Sequence, residues 1–395
     1  MNNRRQLLIN LAAIYLSIFF SSAGFGVMLV LISLTMNRFV VDEILISISS
    51  SAQILAGILF ARYLPIIVKK FGAIKTIQVS SLISAFVVLL TYQYFGYFAW
   101  LIIMFIFGIS SFAFFVIRQS ITLDIAPKNH KALIVAIGGM LIAIGNSCGA
   151  AIPGFIKDDA LQYFAAAALY VIAMLPMLWF KSHDYKFKQV KKIGLWRYIK
   201  ISPKVMFGGF IFNYIHSSCL TFLIIYGLRS GMSVDQSSLL LSFLLLGTVF
   251  SIPLGYITDR VNRRFLILVA NFICLNFAIA LFFVKDPSIM AILLFLLFGF
   301  LIGIKLPALV LINEKYKPTQ RLAVNSAFNK FCLIGNIFGI FLTGALINIF
   351  AEKGLWISII GILSLYLFLN LTTAWRRLLG LSPSGHLLLR KHESK

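Results

Sequence analysis

The chain has 395 residues, 60% of them hydrophobic and only 12% charged, with a formal net charge of +23. Soluble domains run near half apolar and a quarter charged, so no water-soluble globule accommodates this composition. The cations would point to nucleic acid in a soluble protein, but here they flank hydrophobic runs, where Lys and Arg set membrane topology, and no nucleic-acid partner is expected.

Crossing about 30 Å of hydrocarbon takes roughly 20 helical residues. Lipid leaves backbone amides unsatisfied unless each segment is a helix or the sheet closes into a barrel. Stretches such as 292–301 lack the alternation of barrel strands, so the segments are read as helices. Twelve spans are predicted: 6–36, 43–68, 73–95, 97–125, 130–156 and 159–181, then 204–229, 235–258, 264–284, 288–314, 320–349 and 352–375. The first is too long for a signal-peptide core and is read as a permanent helix. Cys148, Cys219, Cys274 and Cys332 fall inside spans without metal-ligand spacing, so no disulfide framework, metal or cofactor is expected.

The first span carries Ser17, Ser21 and Gly24 along one side. Arg4 and Arg5 precede it, and the alternate connections on their side carry Lys69, Lys70, Lys75, Lys128, Lys131, Arg260, Arg263, Arg264, Lys315, Lys317 and Arg321. The opposite connections carry only Arg38, Lys157, Arg229, Lys285 and Lys353, so both termini are expected on the cytoplasmic side. In the fourth span Ser111, Arg118 and Thr122 form one polar stripe, because residues seven apart return to nearly the same helical face. A basic segment, 182–203, follows the sixth span and divides a first half, 1–181, from a second, 204–376. It is read as a connector drawn to anionic lipid, and 377–395 as a cytoplasmic tail.

In the seventh span Asn213, His216, Ser217 and Thr221 recur at helical spacing. Lys305 in the tenth faces away from Gly303 and Pro307, and Lys330 in the eleventh lies beside the row Asn325, Asn329, Cys332 and Asn336. Arg118, Lys305 and Lys330 are the cations deep in predicted spans, and each costs about 2.5–3.5 kcal/mol at mid-bilayer, a cost that usually marks a solute pathway. A helix-packing hydrogen bond is the competing role for Asn213 and Ser217, and Lys330 has the option of snorkelling.

An internal repeat joins the halves. Gly145-Asn146, Gly149 and Gly154 recur as Gly335-Asn336, Gly339 and Gly344 at a constant offset of 190 (335 − 145), which also carries Gly57 onto Gly247 and Lys70 onto Arg260. Duplication explains this better than chance, and the glycines are read first as helix-packing residues.

Between the eighth and ninth spans stands Gly255-Tyr256-Ile257-Thr258-Asp259-Arg260-Val261-Asn262-Arg263-Arg264, which resembles the G-x-x-x-D-R-x-G-R-R loop of the major facilitator superfamily. Asn262 replaces the second glycine, and Asn tolerates a left-handed turn. The equivalent first-half loop is degenerate, with Lys69 where an acid is expected; its Ala61-Arg62 and Lys70-Phe71-Gly72 segments resemble the small YcaD-like bacterial branch. The resemblance implies two six-helix bundles, a small-molecule substrate in a central cavity lined by the first, fourth, seventh and tenth helices, and rocking of one half against the other. Arg118 and Lys305 then fall on the expected walls. It also implies a latch on the side of the termini: Asp259 against the start of the eleventh span near Thr319, Glu314 with Arg260 or Arg263, and Asp124 with Arg62 or Lys70.

Three deep cations without a deep carboxylate favour an organic anion, or a zwitterion held by its acidic end, as substrate; His216 is the candidate should protons be coupled. A broad exporter of amphipathic or siderophore-like compounds and a non-transporting membrane sensor are the competing readings. No enzymatic constellation is found, so catalysis is not expected, and the chain is expected to act as a monomer in the bilayer.

Overall fold

The computed structural model describes residues 2–40, 42–125, 131–180, 203–314, 316 and 321–378, and every described element is helical. The expected linker 182–203 falls outside them except for its last residue, as do Lys128, Lys315, Lys317, Thr319, the tail from 379 and the side chains of Arg4, Arg5, Asp124, Lys131 and Arg321.

Eleven stretches are long and apolar enough to cross a membrane, and the last of them, Ala327–Thr372, holds two helices joined at Ala351–Lys353. The described chain therefore makes twelve spans. The helices are Asn2–Phe39, Glu43–Phe60, Ala73–Leu90, Tyr97–Ile125, Lys131–Phe155 and Asp159–Met174 in the first half. In the second half they are Pro203–Arg229, Val234–Gly247 continued by Ser251–Arg260, Arg263–Phe283, Pro287–Glu314, Arg321–Phe350 and Gly354–Leu378.

Local chemistry sets several of their ends. The Asp42 carboxylate accepts from the amides of Ile44 and Leu45, and Asp158 from Leu161, satisfying donors that no helical turn precedes. Ser233 and Gln236 form a reciprocal capping box at the eighth span. That span tightens to a 3-10 turn at Thr248–Phe250, because Pro253 brings no N–H to the carbonyl of Val249 and the amide of Ser251 turns back to it instead.

Two boundaries differ from the sequence expectation for the same reason. The second span stops at Phe60, and Pro65, at the start of a separate short helix Leu64–Phe71, lacks the N–H that would continue it. Gly72 then turns the chain into the third span at φ 86°, a conformation open to glycine. The sixth span likewise leaves the α-helix at Pro176, in the 3-10 turn Leu175–Leu178.

The repeat is visible in the packing. The first span lies along the fifth, and the seventh along the eleventh. A Cβ added to Gly145 or Gly149 would stand 2.7 Å from the carbonyl oxygen of Phe19 and 1.9 Å from that of Ala23. One added to Gly335 or Gly339 would stand 2.4 Å from that of Phe210 and 2.5 Å from that of Tyr214. Phe210 and Tyr214 follow Phe19 and Ala23 by 191 residues (210 − 19, 214 − 23), so the two contacts are copies. Small residues let these backbones touch where lipid supplies no hydrophobic drive to bring helices together.

The halves meet through the second and eleventh spans and through the fifth and eighth. We call the side holding Asn2 the N face. The contacts between halves gather toward the opposite face: Ser47 donates to the carbonyl of Ile340, the Ser147 and Ser242 hydroxyls lie 3.0 Å apart, and Arg229 pairs with Glu43. Gly154 and Gly344 sit there too, close against Asp235 and against Ser47 and Glu43.

Candidate functional site

With the halves joined toward one face, a cavity of about 970 Å³ opens between them toward the other. Its lining reaches Ala61, Thr122 and Asn325 near the N face and ends at Met36, Ile46 and Ile340, where the halves close. Spans one, two, four and five supply most of the wall, and spans seven and eleven the rest. That volume suits a drug-sized solute. Apolar side chains dominate, among them Phe25, Phe112, Phe114 and Phe115, and no carboxylate is present among the described lining residues.

Arg118 is placed on this wall, 4% exposed. Its Nη1 donates to the Ser17 carbonyl and the Ser21 hydroxyl at 2.5 Å and to the Ser17 hydroxyl at 3.2 Å, while Nε reaches the Phe114 carbonyl at 3.2 Å. The guanidinium also stacks 4.5 Å from the Phe114 ring centroid. Carbonyls, hydroxyls and a ring thus replace the missing anion, at the cost of a desolvated charge. Ser17 and Ser21 serve this anchor; Ser21 also lines the cavity and Ser17 does not. Thr122, on the same stripe, donates to the Arg118 carbonyl, and Ser111 donates to that of Phe107.

In the second half His216, Ser217 and Thr221 line the cavity, whereas Asn213 is turned into its own helix, donating to Gly209 at 2.9 Å. Ser217 donates to the Asn336 carbonyl at 2.9 Å, so it contacts the neighbouring span as well as the cavity. The expected row Asn325, Asn329 and Asn336 faces the hollow, and Lys330 beside it is exposed there.

Lys305 is not among the lining residues, and no described residue of the tenth span is. Its ammonium lies 4.3 Å from the centroid of Phe212, whose ring in turn stacks on His216 at 5.7 Å. It therefore stands one layer behind the wall, held by an aromatic face instead of by the cavity.

Of two further asparagines of the lining, Asn336 belongs to the row expected in the eleventh span, and Asn146 was singled out in sequence only as part of the packing repeat. The side-chain oxygens of Asn146 and Asn336 are buried without a hydrogen-bond partner. Each lies fifteen residues into its span (146 − 131, 336 − 321), about 22 Å from the N face, near the closed end. Gln53 and Gln119 also line the cavity and escaped notice, since single glutamines on apolar helices show no spacing pattern.

At the N face the loop residues stay within their own half. Glu314 accepts from Arg263 at 2.6 Å, and Arg260 stacks 3.8 Å from the Tyr256 ring. Asn262 needs no left-handed turn: at φ −59° it caps the ninth span, accepting from the Arg264 amide at 3.1 Å. Arg62 donates to the Tyr63 hydroxyl and Lys70 lies 5.3 Å from the Phe71 ring, while the Asp124 side chain expected between them is outside the described residues. No contact is described for Asp259, and Thr319 is not described.

Residues 14–339 match the profile described as Major Facilitator Superfamily. The chain belongs to this superfamily. Among other major facilitator proteins it is 24% identical over 283 residues to an uncharacterized MFS-type transporter of Yersinia pestis, covering 70% of this chain and 72% of that one. It is 21% identical over 324 residues to the uncharacterized MFS-type transporter YcaD of Escherichia fergusonii, covering 81% and 83%. A crystal structure of a mutant of the nucleoside transporter NupG superposes with a TM-score of 0.75 at 16% identity, covering 92% and 99%. At that identity the likeness concerns the fold. This protein is thus a multi-pass major facilitator transporter with twelve helices in two pseudo-symmetric bundles.

Proposed function

We propose that the chain is a secondary active transporter that carries a small organic solute, anionic or neutral, through the central cavity by alternating access. The observation that carries this reading is the wall itself: mostly apolar, without a carboxylate among its described residues, and bearing Arg118 and Lys330. Such a surface repels organic cations and attracts a solute with an apolar body and an acidic or neutral polar end. The Nη2 group of Arg118 makes none of the hydrogen bonds described for that side chain, so it retains donors for an anion. The partnerless oxygens of Asn146 and Asn336 suit donors on the solute or on water around it.

The charge asymmetry of the connections makes the N face cytoplasmic in a bacterial inner membrane, and the cavity then opens inward. Rocking about the cavity would close the N face and part the contacts around Glu43, Ser47 and Gly344. His216, on the wall, is the candidate for any proton coupling. A second reading, an exporter of varied amphipathic compounds, is favoured by the four phenylalanines of the lining, which offer contact without directional demands.

Flux into liposomes containing the purified protein tests both readings with a matched series: an aryl carboxylate, its amide and its amine. Carboxylate and amide should move faster than the amine, and Lys330→Gln should narrow the gap between carboxylate and amide. Preference for the amine would refute the proposed substrate class, and absence of flux for any member of the series would count against the reading as a whole. Equal transport of many unrelated apolar bodies would select the exporter.

A further inference from the structure

The repeat that relates the two halves departs from itself at the corner after the second span, and one of the changes there reverses a charge. The offset of 190 that carries Arg260 onto Lys70 carries Asp259 onto Lys69 (259 − 190), so the first half has a cation where the second has an anion. In sequence there is no Asp or Glu between Glu43 and Asp124, while Arg62, Lys69, Lys70 and Lys75 crowd the corner between the second and third spans. The second half pairs Arg263 with Glu314, whose first-half counterpart at the same offset is Asp124 (314 − 190), a side chain outside the described residues; among the described residues no ion pair involves Arg62, Lys69, Lys70 or Lys75. Arg62 and Lys70 rest instead on Tyr63 and Phe71.

The backbone sets this corner at a definite depth. The second span, Glu43–Phe60, has 18 residues, so it covers about 27 Å and has nearly crossed the hydrocarbon when it ends. The short helix Leu64–Phe71 that follows therefore lies at the level of the headgroups. Leu64 and Val68, 1% and 4% exposed, seat it in the first-half core with Ile77, Ile117 and Ile121. Its outer side presents Ile66 and Phe71, 64% and 56% exposed, next to Lys69 and Lys70. A surface that offers apolar side chains and ammonium groups together matches a molecule with acyl chains and a phosphate together.

We propose that this corner binds the headgroup of an anionic phospholipid of the phosphatidylglycerol type, with Lys69, Lys70, Lys75 and Arg62 around the phosphate and Ile66 and Phe71 against the acyl chains. The lipid phosphate supplies at this corner the anion that the second half carries as Asp259. The phosphate takes charge-assisted hydrogen bonds from the lysines, and the guanidinium keeps its stack on Tyr63 while donating from its edge. Each cation near such a surface contributes about a fivefold gain in affinity.

Native mass spectrometry of the full-length purified protein, incubated with phosphatidylglycerol or with phosphatidylcholine of the same chains, tests the proposal. Phosphatidylglycerol should be retained in preference. Lys69→Gln with Lys70→Gln should weaken its retention on the order of 20-fold, whereas Lys69→Arg with Lys70→Arg should keep it and Lys285→Gln, toward the opposite face, should not change it. Thermal unfolding in phosphatidylcholine alone checks that the variants fold; if the double variant does not, Lys69→Gln and Lys75→Gln are read singly by the same measurement. Equal retention of both lipids, unchanged retention after the glutamine substitutions, or full displacement by inorganic phosphate would each overturn it.

Discussion

Gly149 and Gly361 occupy the same kind of helix and stand in opposite environments. A Cβ at Gly149 would collide with the carbonyl of Ala23, whereas one at Gly361 meets nothing within 4 Å. Gly149→Ala should therefore destabilise by about 1–3 kcal/mol or prevent close packing of the first and fifth spans. Gly361→Ala should stabilise by about 0.5–1 kcal/mol, because only the backbone entropy of glycine is removed. Thermal unfolding of the two variants in one detergent measures the contrast. Arg118 and Lys330 form a second contrasting pair. Arg118→Gln leaves the Ser17 carbonyl and the Phe114 carbonyl without that donor, so a loss of about 1–3 kcal/mol is expected together with impaired transport. Lys330→Gln should change stability by less than about 0.5 kcal/mol and act on solute selectivity alone. Sequence places both cations deep in spans and does not separate an anchored charge from a solvated one, because the distinction lies in what the first span brings against the fourth.

Between helices, the ion pairs at the two faces differ in what they hold. Arg263 and Glu314 join neighbouring spans of one half, and Glu314 is half exposed, so Glu314→Gln should cost no more than about 0.2–1 kcal/mol in an unfolding experiment. Arg229 and Glu43 join the seventh span to the second across the two halves, and Glu43 is buried. The Arg229 side chain keeps 28% of its surface exposed, so losing the pair costs less than breaking a fully buried one, about 1–3 kcal/mol in the state that contains it. Glu43→Gln should thus shift the protein toward the state open at the opposite face. A cysteine at Ser33, near the closed end of the cavity, should then react faster with an impermeant maleimide added from that side. Charge reversal of both partners should restore slow labelling, and unchanged labelling in Glu43→Gln would exclude a gating role for the pair. Arg229 reads in sequence as an ordinary helix-ending cation; its partner lies 186 residues away and no local spacing announces it. The span boundaries, by contrast, were readable to within a few residues at most ends; they failed where a proline divided a run that stays apolar, as at Pro65 and Pro176, and at the third span, which ends at Leu90 instead of 95.

Taken together, the two bundles show which properties belong to the chain before it folds. Excess apolar composition, repeated runs of spanning length without strand alternation and the sidedness of Lys and Arg point to a twelve-helix membrane protein, because in lipid such segments satisfy their backbone only as helices once a closed barrel is excluded. The duplicated Gly-Asn-Gly pattern likewise announces two related halves, since only small residues permit the backbone contacts seen at Ala23 and Tyr214. Helical phase assigned Lys305 a polar direction, yet its ammonium rests on Phe212 behind the wall, while Lys330 stands in the hollow. Phase relates a residue to its own helix; it does not say which neighbour that helix meets. The open face, the closing contacts at Glu43 and Ser47, and the choice of wall residues depend on how one bundle is tilted against the other, a geometry set by pairs of residues far apart in the chain.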